Sequence, residues 1–169
     1  MGRQVCIATL SLCAGRLGAM TDPLARFTAP TREWFAGVFH EPTAVQVDAW
    51  DAISAGRHAL VVAPTGSGKT LAAFLWALDR LATGRDEGRR GVRVLYVSPL
   101  KALGADVERN LQAPLAGIAA RMAAAGGAMP EVRTGMRTGD TTPDQRRSLQ
   151  RNPPDILITT PESLYLMLT

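Results

Sequence analysis

From Ala63 to Thr70 the chain reads APTGSGKT. These residue types suit one task, which is holding a row of phosphates. Gly66 and Gly68 reach backbone conformations closed to residues with a side chain, so successive N–H groups can turn toward one anion. Thr65 and Ser67 complete the loop. Lys69 follows where its ammonium can reach the terminal phosphates, and Thr70 offers a hydroxyl to a divalent cation such as Mg²⁺. The full phosphate-loop pattern has glycine where this chain has Ala63, and the remainder agrees. Lys69 and Thr70 are thus the candidate catalytic residues, within a candidate nucleotide loop of Thr65, Gly66, Ser67, Gly68, Lys69 and Thr70. Many unrelated activities use such a loop, so its surroundings must decide among them.

A phosphate loop needs a strand before it and a helix after it. HALVVA, ending at Ala63, is short, apolar and β-branched, and predicts a buried strand. From Lys69 onward, Leu71, Phe74, Leu75, Leu78 and Leu81 recur at three- and four-residue steps, which predicts a helix with one apolar face. Upstream, Thr31 to Phe39 reads as a short helix capped by Thr31, and a second helix runs from near Thr43 to Gly56. Downstream, VRVLYVS predicts another buried strand. A long helical region follows from about Leu100 to Ala125, with a break at Pro114. EVRTGM predicts a strand and TPDQRRSLQRN a polar helix capped by Thr142. DILITT is a further strand, and PESLYLML a closing helix. Strands alternating with helices predict an α/β fold, a parallel sheet with helices on its faces. Right-handed crossovers then gather every strand-to-helix turn at the carboxyl edge of the sheet.

Three of those turns share a form: VAPT at Val62–Thr65, VSPL at Val97–Leu100 and TTPE at Thr159–Glu162. Each passes from strand through proline into helix. Proline has no N–H to waste at a helix start, and the free N–H groups beside it carry the positive end of the helix dipole. One edge bearing three such turns suits an anionic ligand, although proline is also common in turns of this kind.

The segments around the loop resemble a known family. FHEPTAVQ (Phe39–Gln46) is similar to the Q motif of superfamily 2 helicases, and APTGSGKT to their motif I. SPLKAL (Ser98–Leu103) resembles motif Ia, RTGD (Arg137–Asp140) the glycine-containing nucleic-acid motif, and TTPESL (Thr159–Leu164) motif Ib. REWF, PTAVQVDAW, LYVSPLKALGADVERNL and PPDILITTPESLYLMLT are more specifically similar to the large helicase-related (Lhr) helicases. The resemblance implies a RecA-like P-loop fold. Residues 31–169 would be a partial first helicase domain, without its carboxy-terminal strands, after a poorly ordered extension over 1–30. It implies ATP and Mg²⁺ as cofactors, and single-stranded or partly duplex DNA, or an RNA–DNA hybrid, as partner. A link to DNA repair comes with it. Gln46 would read adenine through its amide, with Phe39 or a nearby aromatic on the base. Ser98, Pro99, Lys101, Arg137, Thr138, Gly139, Thr160, Pro161 and Ser163 would meet the nucleic-acid backbone, largely without sequence preference. Phe39, Trp34, Trp50 and Trp76 suit helix packing as well as base stacking. Arg146, Arg147 and Arg151 read as the solvated face of a polar helix.

Hydrolysis in such enzymes also needs a strand ending in Asp-Glu, to hold the metal and position water. The only Asp-Glu pair here, Asp86-Glu87, lies in a charged loop with no strand before it. The chain therefore looks like the amino-terminal piece of a longer motor, unable to hydrolyse ATP alone and marginally stable in isolation. Two alternatives stay open: a nucleic-acid-binding P-loop module without turnover, and a P-loop NTPase of other purpose.

Composition agrees with a folded domain: 169 residues, 46% hydrophobic and 20% charged. The formal charge is +4, and all but two of its 19 basic residues are arginine. That makes Lys69 and Lys101 stand out. Net charge permits an anionic partner and does not require one. Cys6 and Cys13 form no C-x-x-C pair, which disfavours a metal site or disulfide framework. The opening MGRQVCIATLSLCAG has a basic start and a short apolar run, but no small-x-small cleavage site follows. Residues 1–19 read as an extension, and a cytoplasmic, membrane-free location is expected from the ATP-linked motifs.

Overall fold

The computed structural model describes residues 22–84 and 91–169. Cys6, Cys13, most of the expected extension and the Asp86-Glu87 pair lie outside them. Among the described residues nine elements run in chain order: α1 (Ala29–Val38), α2 (Ala44–Ser54), α3 (Lys69–Ala82), β1 (Val94–Val97), α4 (Lys101–Ala124), β2 (Thr134–Arg137), α5 (Pro143–Arg151), β3 (Ile156–Thr159) and α6 (Pro161–Leu168). The strands form one parallel sheet in the order β1-β3-β2, with Val94 beside Ile156 and Thr134 beside Ile156 on its other side. The expected parallel sheet with helices is present, and it is open at both edges.

Side chains on alternate strand positions divide the sheet into two faces. Val94, Tyr96, Met136, Ile156 and Ile158 join the core beneath α3 and α4, where Trp50, Leu75, Leu78, Ile118 and Ile156 are fully enclosed. Each such side chain contributes about 1.5–3 kcal/mol by leaving water. Burial raises the Tyr96 hydroxyl above its usual pKa. The opposite face is thinly covered. Leu149 of α5 and Pro154 close over Gly135, where an added Cβ would lie 3.0 and 2.9 Å from them. Leu95 and Val97 on that face stay exposed. The expectation of a buried strand is therefore corrected: among the described residues β1 is an edge strand with one exposed face.

Other expectations shift for physical reasons. The cap of α1 is Thr28, and Thr31 lies inside the helix, fully buried. Ordered structure reaches further toward the amino terminus than residue 31. Phe27 sits in the core, its ring 4.9 Å from Trp50 and 5.9 Å from Trp76, both edge-on. Pro114 does not break α4, which runs unbroken from Lys101 to Ala124. Proline there forfeits one helical hydrogen bond, but Leu111, Pro114, Leu115 and Ile118 lie on a single buried stripe that holds both halves to the core.

The largest difference concerns His58 to Ala63. This segment forms no ladder, although Ala63 is buried and Ala59 and Val61 pack on Ala49, Ile53 and Ala72. A strand is defined by a hydrogen-bonded neighbour, and none of β1, β2 and β3 pairs with it.

Candidate nucleotide loop and nucleic-acid edge

The loop before α3 turns because two residues take left-handed backbone angles: φ is +84° at Gly66 and +80° at Gly68. Ser67 N–H closes the turn by donating to Pro64 O at 3.3 Å. Gly68 caps α3 without a side chain, so the first N–H groups of the helix open into the loop. Lys69 folds its ammonium back inside, donating to Ala63 O and Pro64 O, each at 2.6 Å. Ser67 Oγ is buried and has no hydrogen-bond partner among the described residues. Thr70 is exposed on the first turn of α3. Preformed glycine angles, an inward cation and an orphan hydroxyl fit a phosphate ligand. The Thr70 hydroxyl suits a metal ion bound to that phosphate.

Two residues of the preceding segment brace this loop. Thr43 caps α2 in a reciprocal box with Gln46: Gln46 N–H donates to Thr43 Oγ1, and Thr43 N–H donates to Gln46 Oε1. The same two side chains then cross to the loop. Thr43 Oγ1 donates to Ser67 O at 3.1 Å, and Gln46 Nε2 donates to Gly68 O at 3.3 Å. Gln46 is 4% exposed, so in this structure its amide serves the cap and the loop. Trp34 and Trp50 lie in the core, whereas Phe39 is exposed and rests on Phe35 at 4.8 Å between ring centroids.

The remaining candidates gather at the carboxyl edge of the sheet, where all three parallel strands end. Their surroundings differ. Ser98, Thr138 and Ser163 are buried. Ser98 continues the β1–β3 ladder through its N–H to Thr159 O, while its hydroxyl donates to Leu100 O at 2.7 Å. Thr160 caps α6 by accepting from Ser163 N–H. Pro99, Lys101, Gly139 and Pro161 are exposed, and Arg137 is half-buried. Lys101 pairs with Asp140, and this hydrogen bond and charge hold the Asp140 carboxyl below its ordinary pKa. Beside that pair lies a cleft of about 440 Å³, floored by Met136 and Leu149 and flanked by Thr138, Thr141, Gln145 and Ser148.

The model of the DEAD/DEAH box helicase family matches residues 43–169. The chain belongs to that family. This helicase chain is 62% identical over 148 residues to the "Lhr helicase/ probable uracil glycosylase" of Mycolicibacterium smegmatis, covering 88% of this chain and 10% of that protein. It is 57% identical over 149 residues to the "Lhr helicase/uracil glycosylase" of Escherichia coli, covering 85% of this chain and 10% of that protein. Among solved structures, "Mycobacterium smegmatis helicase Lhr bound to ssDNA and AMP-PNP" superposes with a TM-score of 0.82 at 61% identity. That match covers 88% of this chain and 18% of the other. The "DUF1998 helicase MrfA bound to DNA and AMPPNP" superposes with a TM-score of 0.67 at 25% identity, covering 83% and 18%. The helicase chain thus spans about a tenth of the length of its bacterial relatives. Its open three-stranded sheet matches part of a RecA-like domain. Among the described residues, no helix is long and apolar enough to cross a membrane.

The structure adds three contributors to the site, Thr43, Thr159 and Arg146. Thr43 was legible only as a helix cap, yet its hydroxyl also holds the loop; the Thr-x-x-Gln spacing was the signal. Thr159 is buried and ties β3 to β2 by donating to Arg137 O at 2.7 Å. Arg146, expected on a solvated face, is half-buried and donates to Thr141 O at 2.9 Å and Gly139 O at 3.0 Å. A guanidinium reaching back over its own helix cap leaves no periodic trace. Arg147 behaves as expected, exposed and paired with Asp144.

Proposed function

We propose that this helicase chain supplies the ATP-binding and DNA-contacting part of a motor that moves on DNA. The observation that carries the proposal is the preformed loop, with Gly66 and Gly68 at positive φ, Lys69 turned inward and Ser67 Oγ unpartnered. On this reading the N–H groups of Gly66 to Thr70 bind the phosphates. Lys69 leaves the carbonyls of Ala63 and Pro64 for the terminal phosphates, an exchange of neutral acceptors for charged ones. Mg²⁺ would be held partly by the Thr70 hydroxyl and would neutralise phosphate charge. Gln46 would offer adenine whatever hydrogen-bonding capacity the cap and loop leave, with Phe39 available for the base. At the carboxyl edge, Pro99, Lys101, Gly139, Thr160 and Pro161 would track the DNA backbone. Ser98, Thr138 and Ser163 would shape the turns beneath it, with Arg137 at the rim. Support comes from the nucleotide analogue and DNA held by the similar solved helicases.

Turnover needs a carboxylate to position the attacking water. Among the described residues no strand ends in Asp-Glu. We infer that this chain binds ATP and that hydrolysis requires further chain. The test compares this chain with a longer form, carried past Thr169 by the matching sequence of a similar Lhr helicase. Binding of a fluorescent ATP analogue is expected in both and lost in Lys69→Ala. DNA-stimulated phosphate release is expected only in the longer form. Absence of nucleotide binding would overturn the reading, and turnover by the 169 residues alone would overturn the inference about hydrolysis.

A further inference from the structure

We infer that Asp140 is a built-in competitor for DNA: its carboxylate occupies Lys101 at the position a strand phosphate takes, and an incoming strand must turn it out. The inference rests on the proposed DNA edge and names a control within it.

Lys101 is the first residue of α4, at the edge where β1, β2 and β3 all end. A cation on a helix N-terminus is unfavourably placed against the dipole, so an anion there gains from both. In this structure the anion is Asp140, 39 residues later in the chain. The pair joins the β1–α4 turn to the β2–α5 turn and stands beside the cleft above Met136 and Leu149. A strand running along the edge meets it directly.

Two properties make the pair a competitor rather than a fixed brace. Both side chains are open to water, 55% exposed for Lys101 and 74% for Asp140. Exposed pairs of this kind contribute little to stability and exchange readily for another anion. The backbone under Asp140 is, by contrast, tightly tied. Thr138 N–H donates to Thr141 Oγ1 at 2.8 Å, Thr141 N–H donates to Thr138 O at 3.2 Å, and Arg146 spans Gly139 O and Thr141 O. The turn holds its place, so Asp140 leaves by rotating its side chain. It remains within reach of any bound phosphate and reclaims Lys101 when the strand steps away. Arg146 already serves the turn's carbonyls, which leaves Lys101 as the cation for Asp140.

The test uses the protein as its own cells make it and a fluorescein-labelled oligothymidylate, read by anisotropy at low and physiological salt. Asp140→Asn is expected to bind about 3- to 10-fold tighter at low salt, with the gain shrinking as salt screens the charges. Asp144→Asn, an equal change in net charge on an exposed pair of α5, is expected to stay within about 2-fold of wild type. In a Lys101→Ala background the gain from Asp140→Asn should fall by at least about half on a logarithmic scale, because the contested cation is gone. Asp140→Asn binding no tighter than wild type while Lys101→Ala binds weaker overturns this inference alone. An undiminished gain in the Lys101→Ala background, or an equal gain from Asp144→Asn, reduces it to a general charge effect and also overturns it. Lys101→Ala binding like wild type removes the edge reading, and this inference with it.

Discussion

The side-chain amide of Gln46 donates to the carbonyl of Gly68 at 3.3 Å, and it lies so close that a Cβ on Gly68 would come within 2.4 Å of Nε2. The same carbonyl accepts from Ala72 N–H at 2.9 Å as the first hydrogen bond of α3. One oxygen atom therefore joins the start of α3 to the start of α2. This sets different costs for the two glycines of the loop. Gly66→Ala meets no atom within 4 Å and carries only the left-handed strain, about 1–2 kcal/mol. Gly68→Ala carries that strain and also expels Gln46. Nucleotide affinity, measured with a fluorescent ATP analogue, should fall by up to about 30-fold for Gly66→Ala and by clearly more for Gly68→Ala.

Gln46 can be separated into its two tasks. Gln46→Glu keeps an oxygen to accept from Thr43 N–H but turns an acceptor toward Gly68 O. The cap hydrogen bond should survive, but a carboxylate at a site 4% exposed and facing the Gly68 carbonyl should lower thermal stability as well as weaken nucleotide binding. Gln46→Ala removes both hydrogen bonds and should also lower stability by about 1 kcal/mol, the usual scale for a lost cap. Equal nucleotide affinity in the Glu variant and wild type would show that the Gln46–Gly68 bond does not support the loop.

Asp79 anchors the amino-terminal end of the fold. Its carboxylate is 1% exposed and accepts from Thr28 N–H at 3.1 Å and Thr28 Oγ1 at 2.5 Å, while Oδ2 has no partner among the described residues. Asp79→Ala leaves two donors without their acceptor and should cost about 1–3 kcal/mol in urea unfolding. Thr28→Val, which removes only the hydroxyl, should cost less. Because Phe27 precedes Thr28 in the chain and packs on Trp50, tryptophan emission should shift in Asp79→Ala as that ring loosens.

Gly117 gives α4 its close approach to α1. A Cβ there would lie 2.1 Å from Trp34 Cδ1. Alanine at an open helical position gains about 1 kcal/mol over glycine, but overpacking costs about 1–3 kcal/mol. Gly117→Ala should therefore lower the unfolding midpoint. A rise would mean that Trp34 shifts aside freely.

The local chemistry was readable wherever a single residue type settles a backbone choice. Gly66 and Gly68 marked the loop, and Thr43 and Thr142 marked helix starts that hold in the structure. Readings that depended on a distant neighbour were less secure. HALVVA has every strand propensity, yet a ladder requires a second strand alongside it. Thr31 looked like a cap because Thr28 and the bond to Asp79 lie beyond local pattern. Pro114 looked like a break because the stripe that carries α4 past it becomes visible only once the core is assembled. Arg146 looked solvated because its targets lie on the preceding turn rather than along its own helix.

The unladdered stretch from His58 to Ala63 has a thermodynamic corollary. Fixing a residue's backbone costs about 1–2 kcal/mol. Two events can supply that cost: nucleotide closing on the loop at one end, or a neighbouring strand zipping along its flank. If both guests bind there, whichever comes first would leave the second less to organise, and each would raise the affinity of the other by an equal factor. The amide hydrogens of Leu60, Val61 and Val62 would report this directly, exchanging fast with solvent in the free chain and slowing together when either guest arrives.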